Sequence, residues 1–175
     1  MGSILRNHPV KLTVAFIFKQ PIILEKVKSI LKKRFGEIDF TSAILPFDYT
    51  DYYQKEMGDG LKRVFISFTK LIPPENLSKI KVFTNKIEAK FSESRCRAIN
   101  IDPGYLDLAR LVLASTKDFS HRIYLSHGIY ADLTLIFKDC SFRSNPWTYP
   151  DYRTENYIKI FHQIREIYAC QIKNK

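Results

Sequence analysis

The first hundred residues alternate between two hydrophobic periods. Runs typical of strands occupy 12–18, 38–45, 61–70 and 97–101, and apolar residues at helical spacing occupy 22–35 and 74–91. The second helical segment begins at Pro-Pro-Glu, a common helix start. The resulting order, β-α-β-β-α-β, predicts an α+β protein with a ferredoxin-like core.

Further elements extend this core. The pattern predicts a helix over 103–115, a β-hairpin with arms 122–125 and 129–137 turned at Ser126-His127-Gly128, and a C-terminal helix over 154–172. Alternation places one set of apolar residues on a single face of the second arm: Ile129, Ala131, Leu133, Leu135 and Phe137. Because 175 residues is an ordinary single-domain length, we expect one domain over 1–175.

The chain is basic, with 28 Lys and Arg against 18 Asp and Glu and a formal charge of +10. Such an excess attracts polyanions, including RNA, DNA and anionic lipid surfaces. Much of it lies on the first predicted helix, at Lys26, Lys28, Lys32, Lys33 and Arg34. The same cations also suit a solvated outer helix face, so both interpretations stay open.

The cysteines and the apolar runs bear on the cellular location of the protein. Cys96, Cys140 and Cys170 are far apart and form no Cys-x-x-Cys pair, which argues against a disulfide framework and a zinc knuckle. The early apolar run over 12–18 is too short to cross a membrane. We therefore expect a cytoplasmic protein without membrane insertion.

The first candidate site is the acidic and aromatic stretch at 46–56, within a long connection. Asp48, Asp51 and Glu56 could supply oxygen ligands to a divalent metal or accept protons. Three tyrosines could stack on a base or sugar: Tyr49, Tyr52 and Tyr53. The alternative is a short helical turn capped by Asp48, with its tyrosines covering the core.

The second candidate is Asp102, where a strand is predicted to run into a helix. A purely structural reading makes Asp102 the N-cap of that helix and Pro103 its first residue. A strand end that leads into a helix is also a common ligand site, which would place Tyr105 beside the ligand. Because Asp102 would repel a bare phosphate, Lys117 and Arg122 are the expected cationic partners.

His121 adjoins those cations, and an imidazole can donate or accept a proton, which suits a proton-transfer role. Strand alternation, however, groups His121 with Ile123 and Leu125, and sets Arg122 and Tyr124 on the opposite face. A buried and hydrogen-bonded histidine is therefore the alternative to a general base.

The third candidate is the stretch 145–153, which two prolines stiffen. Trp147, Tyr149 and Tyr152 could form a rigid aromatic surface, with Asp151 and Arg153 fixing polar groups. The alternative is a folded-back loop that seals the core and caps the last helix.

Four runs carry a resemblance to a known family. They are Pro-Phe-Asp-Tyr-Thr-Asp-Tyr-Tyr at 46–53, Asp-Pro-Gly-Tyr at 102–105, Ser-His-Arg-Ile-Tyr-Leu at 120–125 and Pro-Trp-Thr-Tyr-Pro-Asp-Tyr at 146–152. Together they resemble the bacterial family called domain of unknown function 4416, over nearly the whole chain. The resemblance implies no established activity. A GTP-binding label used for some members has no support here, because the chain lacks Gly-x-x-x-x-Gly-Lys-Ser/Thr.

Two hypotheses follow. In the first, the three stretches form a pocket for a nucleotide-like or phosphorylated ligand, with catalytic Asp48, Asp51, Asp102 and His121, and with the first three as candidate metal ligands. The expected ligand-binding residues are Tyr49, Tyr53, Tyr105, Lys117, Arg122, Tyr124, Trp147, Tyr149, Asp151, Tyr152 and Arg153. In the second, the protein is a non-catalytic module that binds RNA or a protein through its basic helix and aromatic surface.

Overall fold

The computed structural model describes residues 2–3, 8–50, 52–93 and 96–173. The strands are β1 (Lys11–Phe18), β2 (Ile38–Thr41), β3 (Leu45–Pro46), β4 (Lys62–Phe68), β5 (Ser92–Glu93), β6 (Cys96–Arg97), β7 (Ile99–Leu106), β8 (Arg110–Ser115), β9 (Arg122–Ser126), β10 (Ile129–Lys138) and β11 (Ser141–Ser144). The helices are α1 (Pro21–Phe35), α2 (Gln54–Met57), α3 (Leu77–Lys90) and α4 (Glu155–Lys173), with 3-10 turns at Pro74–Asn76 and Asp151–Arg153.

Strand β1 is the centre of the molecule, because all eight of its residues are buried. It lies in an antiparallel sheet ordered β11-β10-β8-β7-β1-β4-β2, with β3 beside β4 and β9 beside β10. A strand buried on both faces needs cover on both, and successive side chains point to opposite faces. The protein therefore has layers on both sides of one sheet.

One side, which we call the helical face, is covered by α1 and α3. Leu24, Val27 and Leu31 of α1 pack there against the even-numbered residues of β1. The other side, the loop face, is covered by α4 and by three loops: the first loop (47–61), the second loop (116–121) and the third loop (145–154). Helix α4 buries Tyr157, Phe161, Ile164 and Tyr168 at helical spacing against this face.

The predicted α+β class is confirmed. The strand and helix segments expected before residue 102 are present, although the strand expected over 38–45 is divided into β2 and β3, both paired with β4. The hairpin of β9 and β10 and the last helix are also present. Among the helices that the structure describes, none combines the length and apolar composition needed to cross a bilayer.

The predicted helix over 103–115 is wrong, because β7 continues to Leu106 and β8 returns beside it. Asp102 is thus a strand residue and not an N-cap. Gly104 faces Leu113 so closely that an added Cβ would lie 2.6 Å from the carbonyl oxygen of Val112. The turn at 107–109 is fixed by the Asp107 carboxylate, which accepts hydrogen bonds from the backbone N–H groups of Ala109 and Arg110.

The hairpin turns where the sequence predicts, since His127 and Gly128 both have positive φ, at 58° and 72°. The predicted single face of β10 is wrong, however. An irregularity between Leu133 and Leu135 reverses the alternation, so Ile129 packs on the helical face and Leu135 on the loop face. Strand β11, which pairs with the end of β10, was not predicted.

Candidate functional site

Among the described residues, the first part of β7 is not paired with β8, and the pairing begins just after Pro103. The Ile101 N–H donates to the Glu88 carboxylate at 2.5 Å, and the Ile101 carbonyl accepts from Lys81 Nζ at 2.8 Å, so both backbone groups point toward α3. Two residues on, Pro103 faces the same edge but has no N–H to donate. The recorded pairing of β7 with β8 accordingly covers Gly104–Leu106, and α3 side chains close the rest of this edge.

The three loops converge on the loop face near this part of β7. Lys117 Nζ of the second loop lies 4.3 Å from the centre of the Tyr52 ring of the first. Arg122, which follows the second loop, donates to the Tyr149 hydroxyl of the third at 2.5 Å. The structure therefore brings together three stretches that lie far apart in the sequence.

An ion pair between Glu56 of the first loop and Arg97 of β6 anchors the first loop. Arg97 donates to Glu56 from its Nε at 2.8 Å, from its Nη2 at 2.6 Å and from its backbone N–H at 3.2 Å. These bonds hold the pKa of the Glu56 carboxyl below its usual range. Glu56 lies on α2, which ends at Gly58 with φ of 74°. The geometry gives Glu56 the role of an anchor for the loop.

Arg63 of β4 is a buried cation that faces two carboxylates of the site, those of Asp102 and Asp151. Its Nη2 donates to Asp151 of the third loop at 2.8 Å, and its Nη1 lies 3.7 Å from the Asp102 carboxylate. Its guanidinium carbon lies 4.6 Å from the centre of the Phe47 ring of the first loop. One buried cation thus contacts two loops and β7. Burial raises the pKa of the Asp151 carboxyl, which Arg63 partly opposes.

Asp102 is already engaged by its neighbours. Asn100 Nδ2 donates to its carboxylate at 2.7 Å, and Lys81 Nζ lies at 3.4 Å. With Arg63 nearby, its negative charge is balanced by two cations. The repulsion of a phosphate that the sequence suggested is consequently weakened.

Another ion pair lies beside the second loop. Arg122 Nε donates to Asp132 of β10 at 2.8 Å, and both side chains are 2% exposed. Arg122 Nη1 donates to the Ser115 hydroxyl and to the Lys117 carbonyl, which shapes the turn. Because its guanidinium is used by Asp132, Ser115, Lys117 and Tyr149, Arg122 positions the loops. Burial raises the pKa of the Tyr149 hydroxyl, and Arg122 acts against that rise.

His121 lies between two aromatic rings. Its ring stacks on Phe119, at a centroid distance of 5.9 Å, and on Trp147, at 5.3 Å. Its Nε2 lies 3.5 Å from the Asp132 carboxylate and, among the described residues, makes no hydrogen bond. His121 is thus a half-buried part of an aromatic stack that joins the second and third loops.

The third loop is built on the irregularity in β10. The Leu133 carbonyl accepts hydrogen bonds from Asn145 Nδ2 and from Trp147 Nε1, at 2.8 and 3.0 Å. The Thr134 carbonyl accepts from Thr148 Oγ1 at 2.6 Å. Arg153 donates to two carbonyls of its own loop and so acts as an internal brace. These bonds satisfy polar groups that a regular strand pair would have used.

The other predicted residues differ in their burial and packing. Tyr152 is buried against Phe65 and Phe161, and Tyr105 packs against the core of the helical face. Asp48 is exposed, and Asp51 lies outside the described residues. Tyr53 packs against Phe47, and Tyr124 of β9 packs edge-on against Tyr130.

The described residues contain no group of three His, Cys, Asp or Glu side chains arranged to hold a metal ion. Two of the predicted acidic groups, Asp102 and Asp151, instead face Arg63. The Arg63 guanidinium therefore lies where a metal ion bound by these two carboxylates would lie.

The exposed aromatic residues of the described chain lie on the three loops and on β9, which follows the second loop. They are Tyr49, Tyr52, Phe119, Tyr124, Trp147 and Tyr149, and 38% to 58% of each side chain is accessible. We call them the aromatic surface. Aromatic side chains normally bury most of their area, so such a grouping marks a candidate binding surface.

Sequence reasoning missed Arg63 and Asp132. Arg63 interrupts an apolar strand at the parity of Leu61 and Phe65, and this was the available signal. Alternation placed Asp132 opposite the apolar residues of its strand, so nothing in the sequence indicated that Asp132 is buried. Their partners could not be assigned, because Arg63 and Asp151 are 88 residues apart.

Comparisons with known proteins agree with the motifs. The model of the family described as Domain of unknown function (DUF4416) matches residues 8–168 of the chain. Searches of curated proteins and of solved structures give no match. The resemblance carried by the four runs is thereby confirmed, and the chain belongs to the DUF4416 family.

Proposed function

We propose that this member of the DUF4416 family binds a nucleotide-like, phosphorylated ligand on the aromatic surface, as a binding function without a catalytic step. One observation carries the proposal: exposed aromatic side chains of the three loops are joined through His121 and Arg122, and the exposed cation Lys117 lies over the Tyr52 ring. A planar base or sugar can stack on such rings, and a cation beside them can attract a phosphate.

Lys117 is the expected phosphate contact. Its backbone carbonyl is held by Arg122, while its ammonium group lies over the Tyr52 ring at 4.3 Å. Among the described residues, no carboxylate forms a salt bridge with it. An exposed cation held in one place loses less side-chain freedom on binding than a free one.

The buried charges below the surface support the ligand indirectly. Arg63 balances Asp102 and Asp151, and Asp132 balances Arg122. These groups hold the loops in position and leave little net field to repel an anion. We therefore assign Asp102, Asp151 and Arg122 positioning roles, and the proposal includes no metal.

The strand order supports a further proposal about the fold. Strands β7-β1-β4-β2 are antiparallel neighbours, and α1 and α3 both contribute to the apolar cluster on the helical face. This arrangement is the one expected of a ferredoxin-like core, to which β8–β11 and α4 are added. A cytoplasmic location also stays a proposal, supported by three exposed cysteine thiols.

The experiment uses Trp147, the one tryptophan of the chain, as a built-in fluorescent reporter. We would titrate the protein with AMP, GMP, CMP and UMP, and separately with adenosine and with ribose 5-phosphate. A nucleotide should change Trp147 emission and raise the melting temperature, because a ligand of the native state stabilises it. The two half-ligands should bind more weakly, since each lacks one of the two contacts.

Two substitutions locate the ligand. Lys117→Gln should weaken nucleotide binding about 10-fold, since a hydrogen bond to a charged group contributes about 1.5 kcal/mol or more. Phe119→Ala should weaken it by a similar factor through lost stacking, and should leave ribose 5-phosphate unaffected. Lys138→Gln and Leu108→Ala, at exposed positions outside the three loops, are the matched controls. No response to any nucleotide, or equal binding by the Lys117 variant, would overturn the proposal.

A further inference from the structure

The helical face carries a second surface, which the fold assembles from two helices. The rings of Phe35, at the end of α1, and Phe83, in the middle of α3, meet edge to face at 5.8 Å. The guanidinium of Arg34 lies 5.9 Å from the centre of the same Phe83 ring. The last turn of α1 is therefore packed beside the outer side of α3.

Cations line both helices at this junction. On α3, Lys79, Lys86 and Lys90 share one side with Phe83, because they follow the spacing i, i+7 and i+11. On α1, Lys33 and Arg34 lie in the last turn. All five cations are exposed. We call them the basic patch: Lys33, Arg34, Lys79, Lys86 and Lys90.

The basic patch differs from two other cations of α1, Lys28 and Lys32, which are paired with carboxylates. Lys28 pairs with Glu25 at 2.9 Å, and Lys32 pairs with Glu37 at 2.6 Å. Within the parts of the chain that the structure describes, the five cations of the patch form no salt bridge with a carboxylate. Their charge is thus available to an external anion.

We propose that the basic patch binds the phosphate backbone of a nucleic acid. Five uncompensated cations on two packed helices form an extended positive surface, and such a surface fits a polyanion better than a single phosphate. Neutralising several backbone phosphates releases their bound counterions, which drives association. The contacts involve charge and not base edges, so binding is independent of nucleotide sequence.

An anionic membrane is the competing polyanion, and the apolar side chains argue against it. A helix that lies on a bilayer buries exposed apolar residues from the same side as its cations. Among the described residues of α1 and α3, the large apolar side chain that is clearly exposed is Ile22, at 61%. It lies in the first turn of α1, at the opposite end from Lys33 and Arg34.

The patch and the aromatic surface lie on opposite sides of the sheet. The hypothesis of one interface made from the basic helix and the aromatic residues is therefore replaced by two separate surfaces. Nucleic-acid binding by the patch should be unchanged by Lys117→Gln, and failure of either proposal leaves the other standing.

The test measures binding of a fluorescein-labelled DNA duplex, and of an RNA duplex of the same sequence, by fluorescence anisotropy at several salt concentrations. If five phosphates are neutralised, the slope of log K against log salt for DNA should be about −4.5. Affinity should then fall about 500-fold between 50 and 200 mM salt. A variant with all five patch residues changed to Gln should lose most of this slope.

A control variant removes the same formal charge elsewhere, by changing five residues to Gln: Arg110, Lys138, Arg143, Lys159 and Lys173. It should keep the wild-type slope and affinity within about 3-fold, a change of less than one phosphate contact. Equal slopes for the patch variant and the wild type would overturn the proposal. Binding to vesicles containing phosphatidylserine, without binding to either duplex, would also overturn it, and circular dichroism would verify that both variants are folded.

Discussion

Both faces of the sheet bury an apolar cluster, but they differ in where their charged and aromatic side chains lie. On the helical face, apolar residues such as Val14, Val27 and Leu31 are buried, and cations lie outside. On the loop face, ion pairs such as Arg63 with Asp151 are buried, and aromatic rings lie outside. Neighbouring residues of one strand serve both arrangements, since Val64 joins the apolar core and Arg63 joins the ion pairs.

Apolar burial and buried ion pairs contribute differently to the free energy of folding and to the position of side chains. Hydrophobic burial is non-directional and stabilises a fold without fixing single atoms. A buried ion pair is directional and has a desolvation cost that can match its attraction, so it contributes little net stability while constraining geometry. We infer that the apolar clusters on both faces stabilise the fold and that the ion pairs of the loop face chiefly hold the three loops.

The largest expected effect comes from breaking the buried charge network. Arg63→Met should lower the free energy of unfolding by about 3–5 kcal/mol, because Asp151 is left buried without its partner. Urea denaturation would measure this loss. Adding Asp151→Asn should restore part of the stability, as the double variant no longer buries an unpaired charge. If the losses of the single variants Arg63→Met and Asp151→Asn add up to the loss of the double variant, the charges of the pair do not interact.

The matching change on the helical face is Leu31→Ala. Leu31 is fully buried beside α3 and β1, so the cavity should cost about 2–5 kcal/mol. Its cost should not vary between pH 5 and pH 8, since no titratable partner is lost. Nucleotide affinity should also be unchanged. A loss of affinity with a folded protein would mean that the two faces are coupled.

An intermediate and pH-dependent effect is expected at the anchor of the first loop. Arg97 lowers the pKa of Glu56 in the folded protein, so the pair stabilises the fold above the unfolded pKa of about 4.5. That contribution should be lost as pH falls through the lower folded pKa. Glu56→Gln should thus cost about 1–2 kcal/mol at pH 7, and the cost should shrink as pH falls below the unfolded pKa. A pH-independent difference between variant and wild type would contradict the ion pair.

The secondary structure of the helical face could be predicted because its signals are local. Helix α1 follows an apolar spacing that is visible in the sequence, and it ends at Gly36 with φ of 95°. The helix predicted over 103–115 failed for the converse reason. Asp102 and Pro103 form a convincing local N-terminus, but pairing of Gly104 with Leu113 decides the structure, and no local pattern reveals it.

The candidate site was predictable as a set of segments and not as a set of contacts. Composition marked the loops that hold Tyr52 and Trp147, while Lys117 was expected only as a cationic partner of Asp102. Arg63 connects the first and third loops, because it lies over the Phe47 ring and pairs with Asp151. Its other charged partner, Asp102, comes from β7. Burial, which decides whether a carboxylate is a ligand or a structural partner, depends on the complete fold.

The smallest expected effect is the sharpest test of the comparison. Phe119→Ala should change the free energy of unfolding by about 0.5 kcal/mol or less, because half of its side chain is already exposed. Phe161→Ala, which removes a buried ring from the same side of the sheet, should cost about 3–5 kcal/mol. Thermal and urea unfolding of the two variants would measure the contrast. A loss above about 2 kcal/mol at Phe119 would mean that the aromatic surface is a cover for the core, since a ligand-binding surface can lose an exposed ring and stay folded.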